Sequence, residues 1–182
     1  GIGALAANPL HVGTVGVTLS ATNTTGGDLF LSTGAITLAG TGASLSEVAG
    51  GTLRIDSSNN IVIDGNVTVG GAGSIVLNAS GTLTESGAGA GSLIAPTVEL
   101  GTTTAPTSIG TGGAPVLTQA TTLLDVRSGG DIYVSNTGNV NATAQSSGGL
   151  VNLANTGTLT TAGVITANTT VTVGATNDIS IG

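Results

Sequence analysis

Residues 51–70 read GTLRIDSSNNIVIDGNVTVG, and this stretch decides the fold. Apolar and polar residues alternate in three short runs, at 53–55, 61–63 and 67–69. Strict alternation over a short run is typical of a β-strand with one buried face. The polar segment 57–60 is rich in residues that favour turns, since Asn and Ser side chains bond to nearby backbone. The stretch therefore predicts short strands separated by tight turns.

The same alternation recurs along most of the chain. No run of ten or more residues has helical spacing, so an all-β chain with essentially no helix is predicted. Further alternating pairs are Val15/Val17, Leu29/Leu31, Ile36/Leu38, Ile75/Leu77, Val98/Leu100, Ile132/Val134, Val151/Leu153, Val171/Val173 and Ile179/Ile181.

The composition argues against several functional classes. The 182 residues include no Cys, one His, two Arg and no Lys, and the net charge is -7. A chain without Cys has no disulfide scaffold and no cysteine metal site. Contacts to phosphates need cations, so nucleic acid is not an expected partner. No apolar run reaches the roughly 18 residues of a membrane span. Disorder is also disfavoured, because 39% of the residues are hydrophobic.

Internal repeats distinguish a solenoid from a sandwich or barrel. The segment GDLFLS at 27–32 matches GDIYVS at 130–135, and VTVG occurs at both 67–70 and 171–174. The spacing indicates a module of about 104 residues, with copy 1 at 1–107 and an incomplete copy 2 at 108–182 in one continuous rod. A shorter match, between 73–84 and 149–160, lies within the longer repeat. A repeat nested in a repeat is typical of a solenoid.

A parallel β-solenoid is the predicted fold, with turns of roughly 20–27 residues that each hold two or three strands. The side-chain alternation predicts which residues face outwards: Thr52, Arg54, Asp56, Val62, Thr68 and Thr172. It also predicts a buried set: Leu53, Ile55, Ile61, Ile63, Val67, Val69, Ile75, Leu77, Leu83, Val151, Leu153, Leu159, Val171, Val173, Ile179 and Ile181.

Four phrases of the sequence carry a family resemblance. They are IGTGGAP at 109–115, GGDIYVSNTG at 129–138, GLVNLA at 149–154 and GTLTT at 157–161. The chain resembles the repeat regions of large bacterial exoproteins and adhesins of the filamentous-haemagglutinin type. The resemblance implies a right-handed parallel β-helix, a secreted or cell-surface location, and export through an outer-membrane secretion partner. It implies a shaft and does not identify a secretion domain or a binding tip.

Charged residues offer few candidate sites. Arg54 lies two residues from Asp56, and Arg127 two residues from Asp125, so each pair shares one face of a strand. We interpret both as exposed ion pairs worth about 0–1 kcal/mol. Asp56 and Asp64 are the nearest candidates for the paired carboxylates of a glycan-degrading enzyme. No aromatic platform accompanies them, so no catalytic, cofactor-binding or metal-binding residue is assigned.

The remaining polar signals have structural interpretations. Asp28, Asp131 and Asp178 each precede a strand, where a short side chain caps a turn; they are too dispersed for the six to eight oxygens of a calcium site. His11 is a lone imidazole that we expect to be solvated. Five Asn-x-Ser/Thr sequons exceed chance expectation too little to be informative.

The two aromatic residues are the candidate surface-contact residues. Phe30 and Tyr133 occupy matching repeat positions between inward pairs, so both are predicted to face outwards. A ring lying over its own turn and a contact with a neighbouring segment or fibre are the two interpretations.

The sequence thus predicts a non-catalytic shaft of a secreted bacterial surface fibre or adhesin. The alternatives are a stacking subunit of an extracellular filament and, more distantly, a solenoid glycan-degrading enzyme. Both ends of the sequence look like cuts through a continuous rod, so the expected partner is the chain's own continuation or further copies stacked end to end. A host glycan or protein is a further candidate partner.

Overall fold

The computed structural model describes residues 9–13, 16–23, 27–40, 44–47 and 50–181. These residues form short strands and no helix, which confirms the all-β prediction. The strands are β1 (Leu10–Val12), β2 (Val17–Leu19), β3 (Ala21–Asn23), β4 (Leu29–Thr33), β5 (Ile36–Leu38), β6 (Ser44–Glu47), β7 (Thr52–Ser57), β8 (Ile61–Ile63), β9 (Asn66–Val69), β10 (Ser74–Ala79), β11 (Thr82–Glu85), β12 (Leu93–Leu100), β13 (Ser108–Ile109), β14 (Val116–Ser128), β15 (Ile132–Thr137), β16 (Val140–Ser146), β17 (Val151–Thr156), β18 (Leu159–Thr166), β19 (Val171–Ala175) and β20 (Ile179–Ile181).

The strands stack in parallel into three columns, and one strand from each column makes up most turns of the coil. Column A contains β1, β4, β7, β10, β16, β18, β20 and the second halves of β12 and β14. Column B contains β2, β5, β8, β11, β13, β15, β17 and β19. Column C contains β3, β6, β9, the first halves of β12 and β14, and the ends of β15 and β17. The predicted parallel solenoid is confirmed.

The pairing register gives the length of each turn. Column A joins one inward residue per turn: Leu10, Leu31, Ile55, Leu77, Leu100, Val126, Ala144 and Ile165. The steps along this series run from 18 to 26 residues. The predicted length of 20–27 residues was therefore slightly too long at its lower limit. The shortest step joins Val126 to Ala144, where the connections between strands are tight.

The core is the set of inward aliphatic side chains stacked along these columns. All the predicted core residues from Leu53 to Leu159 are buried, with relative exposures of 0–2%. The predicted outward residues of β7, β8 and β9 are half-buried, and Thr172 is exposed, as expected. Neighbouring turns thus bury apolar faces that no single turn could bury alone.

Four residues of the predicted core are not buried. Val171, Ile179 and Ile181 are 45%, 46% and 85% exposed, and Val173 is half-buried. They belong to β19 and β20, which pair with β17 and β18 on one side. Alternation predicted which way these side chains point, but burial also needs a turn stacked on the other side, and the described residues include none there.

The 104-residue repeat does not coincide with whole turns of the coil. Phe30 lies in column A, where it pairs with Arg54, whereas Tyr133 lies in column B, where it pairs with Asn152. Turns of unequal length shift the second copy relative to the columns. The two aromatic residues therefore do not form one line along the rod, and the division at residues 107 and 108 stays a prediction.

Candidate functional site

The outward face of column A carries the two ion pairs that the sequence predicted. Arg54 Nε lies 2.9 Å from Asp56 Oδ2, and Arg127 Nη2 lies 2.9 Å from Asp125 Oδ2. Each carboxylate also accepts a bond from the next turn, since Asn78 Nδ2 donates to Asp56 and Thr143 Oγ1 donates to Asp125. The pairs therefore connect turn to turn, and exposed pairs of this kind contribute little stability.

The two candidate carboxylates of a glycosidase do not share a setting. Asp56 lies on β7 in column A and is bonded to Arg54. Asp64 follows β8 in column B and accepts a bond from the Ser86 hydroxyl. Among the residues described, no group of three or more His, Cys, Asp or Glu side chains could hold a metal ion.

Two of the three strand-preceding aspartates act as caps. Asp28 Oδ1 accepts the backbone N–H of Thr52 at 2.8 Å, and Asp131 Oδ1 accepts that of Leu150 at 3.0 Å. Both donors belong to the next turn, so each side chain satisfies a backbone group where the strand ladder is interrupted. The structure gives Asp178 no such side-chain bond, and the capping prediction is not met there. His11 is exposed on β1.

A buried polar row in column C was not foreseen from the sequence. Thr118, Asn136 and Asn155 stack on consecutive turns and face inwards. Asn136 Oδ1 accepts bonds from Thr118 Oγ1 and from the backbone N–H of Ala120, both at 2.8 Å. Its Nδ2 donates to Asn155 Oδ1 at 2.8 Å. The row satisfies buried backbone groups at the end of each strand, and its signal was Asn at an inward position of the alternation.

Glu85 is a buried carboxylate at the most irregular turn of the coil. It takes the inward position above Ile63 and is 7% exposed. Its carboxylate accepts the backbone N–H groups of Gly89 and Leu117 at 3.0 and 2.8 Å. Burial raises the pKa of Glu85 above its usual 4.5, and the bonds from Leu117, Gly89 and Ala90 oppose that rise. The side chain thus fastens the 86–92 loop to the start of β14.

A hairpin interrupts the coil just before Leu117. Thr111 and Ala114 form an antiparallel bridge with backbone bonds of 3.0 and 3.2 Å. Gly110 enters the hairpin with φ of +62°, and a Cβ there would collide with the carbonyl oxygen of Tyr133. The hairpin consequently lies against the outward face of β15.

The hairpin and the Tyr133 ring enclose a small cleft. A Cβ placed on Gly112 would lie 3.5 Å from Tyr133 Cε1, which is ordinary contact distance. The ring therefore lies against its own chain, as the simpler interpretation of the aromatic residues predicted. The cleft is lined by Gly112, Pro115, Tyr133, Val134, Ser135, Asn152 and Ala154.

Phe30 has a different setting on column A. It is half-buried on β4 and pairs in register with Arg54. The two candidate contact residues are thus separate features, and Tyr133 alone lines the cleft beside the hairpin.

No protein-family model, curated protein or solved structure matches this chain. In the described part of the chain, no helix is long and apolar enough to cross a membrane. The class that the fold defines is the parallel β-solenoid.

Proposed function

We propose that this chain is a structural shaft of a secreted bacterial surface fibre or adhesin, and that it is not a catalyst. The observation that carries the proposal is the stacking of column A, which continues from Leu10 to Ile165. In such a coil each turn contacts only its neighbours, so a rod can be extended by adding turns without building a new core.

The outward charged groups support a structural role. Both arginines are bonded to aspartates, and both aspartates bond to the following turn. The capping aspartates Asp28 and Asp131 also bond across turns. These side chains stabilise the stacking of turns, which is the property a shaft requires.

The location is proposed from the resemblance to filamentous-haemagglutinin-type repeats, which also implies an outer-membrane secretion partner. Antibodies raised against residues 1–182 should label intact cells of the source organism, and protease treatment of intact cells should remove the label. Labelling that appears only after the cells are permeabilised would contradict secretion.

The exposed apolar turn favours a second candidate, the stacking subunit of an extracellular filament. Val171, Ile179 and Ile181 present aliphatic side chains beside the unpaired edges that β19 and β20 have in the described chain. An exposed strand edge with apolar neighbours is a template for pairing with another chain. Under this proposal the edge meets the chain's own continuation or a further copy.

A charge at that turn separates the candidates. Ile181→Lys should abolish stacking because it places an ammonium group among aliphatic side chains, whereas Thr172→Lys, on the outward face of β19, should not. Light scattering and electron microscopy should detect rods that lengthen with concentration in the Thr172 variant only. Single particles at all concentrations for the unaltered chain, together with surface labelling, would favour the shaft over the subunit.

A further inference from the structure

The cleft beside the hairpin has a defined floor and wall. Its floor is the outward face of β15 and β17, where Tyr133 pairs with Asn152 and Ser135 pairs with Ala154. Its wall is the hairpin at 110–115, which contributes Gly112 and Pro115. The volume is about 150 Å³, below the roughly 300–1,000 Å³ of sites for drug-sized ligands. The cleft therefore suits one small ring.

Three polar groups reach this cleft without a partner in the described part of the chain. The structure gives no hydrogen bond to the Tyr133 hydroxyl, the Ser135 hydroxyl or the Asn152 carboxamide. Together they offer donors and acceptors on one side of an aromatic ring. By contrast, the polar side chains that cap turns elsewhere on the coil are bonded to the next turn.

The charge around the cleft selects the chemistry of its ligand. No Arg, Lys or His lines it. Asp131 lies two residues before Tyr133 on the same face, and its carboxylate is bonded to Leu150. Phosphate, sulfate and carboxylate groups would meet negative charge with no cation to balance it. A neutral ligand is consequently favoured.

We propose that this cleft binds one pyranose ring of a neutral glycan. A pyranose has an apolar C–H face and a rim of hydroxyls, and Tyr133 presents an apolar ring with a polar tip. The C–H face would lie on the Tyr133 ring, and the rim hydroxyls would bond to Ser135 and Asn152. This site does not depend on whether the coil is a shaft or a filament subunit.

The chain provides its own reporter for the test. Tyr133 is the one Tyr and Phe30 the one Phe in the sequence, so their ring-proton signals are distinct in NMR spectra. The probes are the methyl glycosides of glucose, galactose, mannose and N-acetylglucosamine, titrated to tens of millimolar. At least one should shift the Tyr133 ring signals and leave those of Phe30 unchanged.

Three variants make the assignment specific. Tyr133→Ala should weaken saturation transfer to the bound glycoside at least tenfold, whereas Phe30→Ala, on another column, should leave it unchanged. Gly112→Val should also abolish binding because it fills the cleft from the exposed hairpin, and it serves if Tyr133→Ala fails to fold. Equal binding by Tyr133→Ala or Gly112→Val, shifts confined to sulfated or sialylated sugars, or no response to any neutral glycoside would overturn the proposal.

Discussion

Replacing Asn136 by Ala tests the buried polar row of column C. The substitution removes the acceptor for two donors, the Thr118 hydroxyl and the Ala120 N–H, and the donor for Asn155 Oδ1. All of these groups lie in the buried part of the column. Leaving a buried group unpaired costs about 1–3 kcal/mol. We therefore expect Asn136→Ala to lower the free energy of unfolding by about 3–6 kcal/mol.

Asn155→Ala is the matched control, because it removes the same side chain from the neighbouring buried position. Asn155 Nδ2 is buried without a hydrogen-bond partner in the described chain, so its removal relieves one unpaired group. The Asn136 amide would lose one acceptor but keep the carbonyls of Ala120 and Gly138. Truncation leaves a similar cavity at both positions, and the hydrogen bonds should make Asn136→Ala costlier by about 2–4 kcal/mol.

The assay is urea unfolding of both variants, followed by circular dichroism. With a slope of about 2 kcal/mol/M, the midpoints should differ by about 1–2 M, provided that the slopes agree. Equal midpoints would refute the reasoning, because they would mean that the row contributes only its packing.

Three further predictions concern a buried acid, a glycine and a surface pair. Burial raises the pKa of Glu85, so its contribution to stability is present below pH 4.5 and is lost as pH rises through the folded-state pKa; Glu85→Gln should remove this fall from urea titrations run at pH 4 and pH 7, and an unchanged pH profile would contradict it. Gly101→Ala should cost at least about 2 kcal/mol, since φ is +74° and its Cβ would meet the Arg127 carbonyl, whereas Gly87→Ala, with open space around it, should cost under about 0.5 kcal/mol in thermal unfolding. Arg54→Ala should change the unfolding free energy by less than about 1 kcal/mol; a larger loss, measured in 0.15 M salt, would mean that the pair is structural.

The alternation of residues predicted the fold and most of the core because a strand's side-chain period is two. Ile61 and Ile63 had to face one way once the strand formed, and both are buried. Ile179 and Ile181 follow the same rule but are exposed, since burial also depends on the turn above. The sequence pattern specifies direction, and stacking specifies burial.

The site was less predictable, because turn length varies. The repeat placed Phe30 and Tyr133 on equivalent positions, but turns of 18 to 26 residues put them in different columns. The hairpin beside Tyr133 is an insertion whose path no alternation describes. Glu85 and Asn136 resemble exposed or turn residues in sequence, and only the register shows that they point inwards.

The central claim is that column B stacks one strand per turn from β5 to β19, and distances between spin labels test it most directly. The chain has no Cys, so Thr37→Cys with Thr172→Cys gives two unique labels on outward positions. The register places them six turns apart, which predicts a backbone separation of about 29 Å at 4.8 Å per turn. Moving the first label to Val62, one turn nearer, should shorten the distance by about 5 Å. Two distances that do not differ by one strand spacing, or a Thr37–Thr172 separation below about 20 Å, would contradict the stacked solenoid.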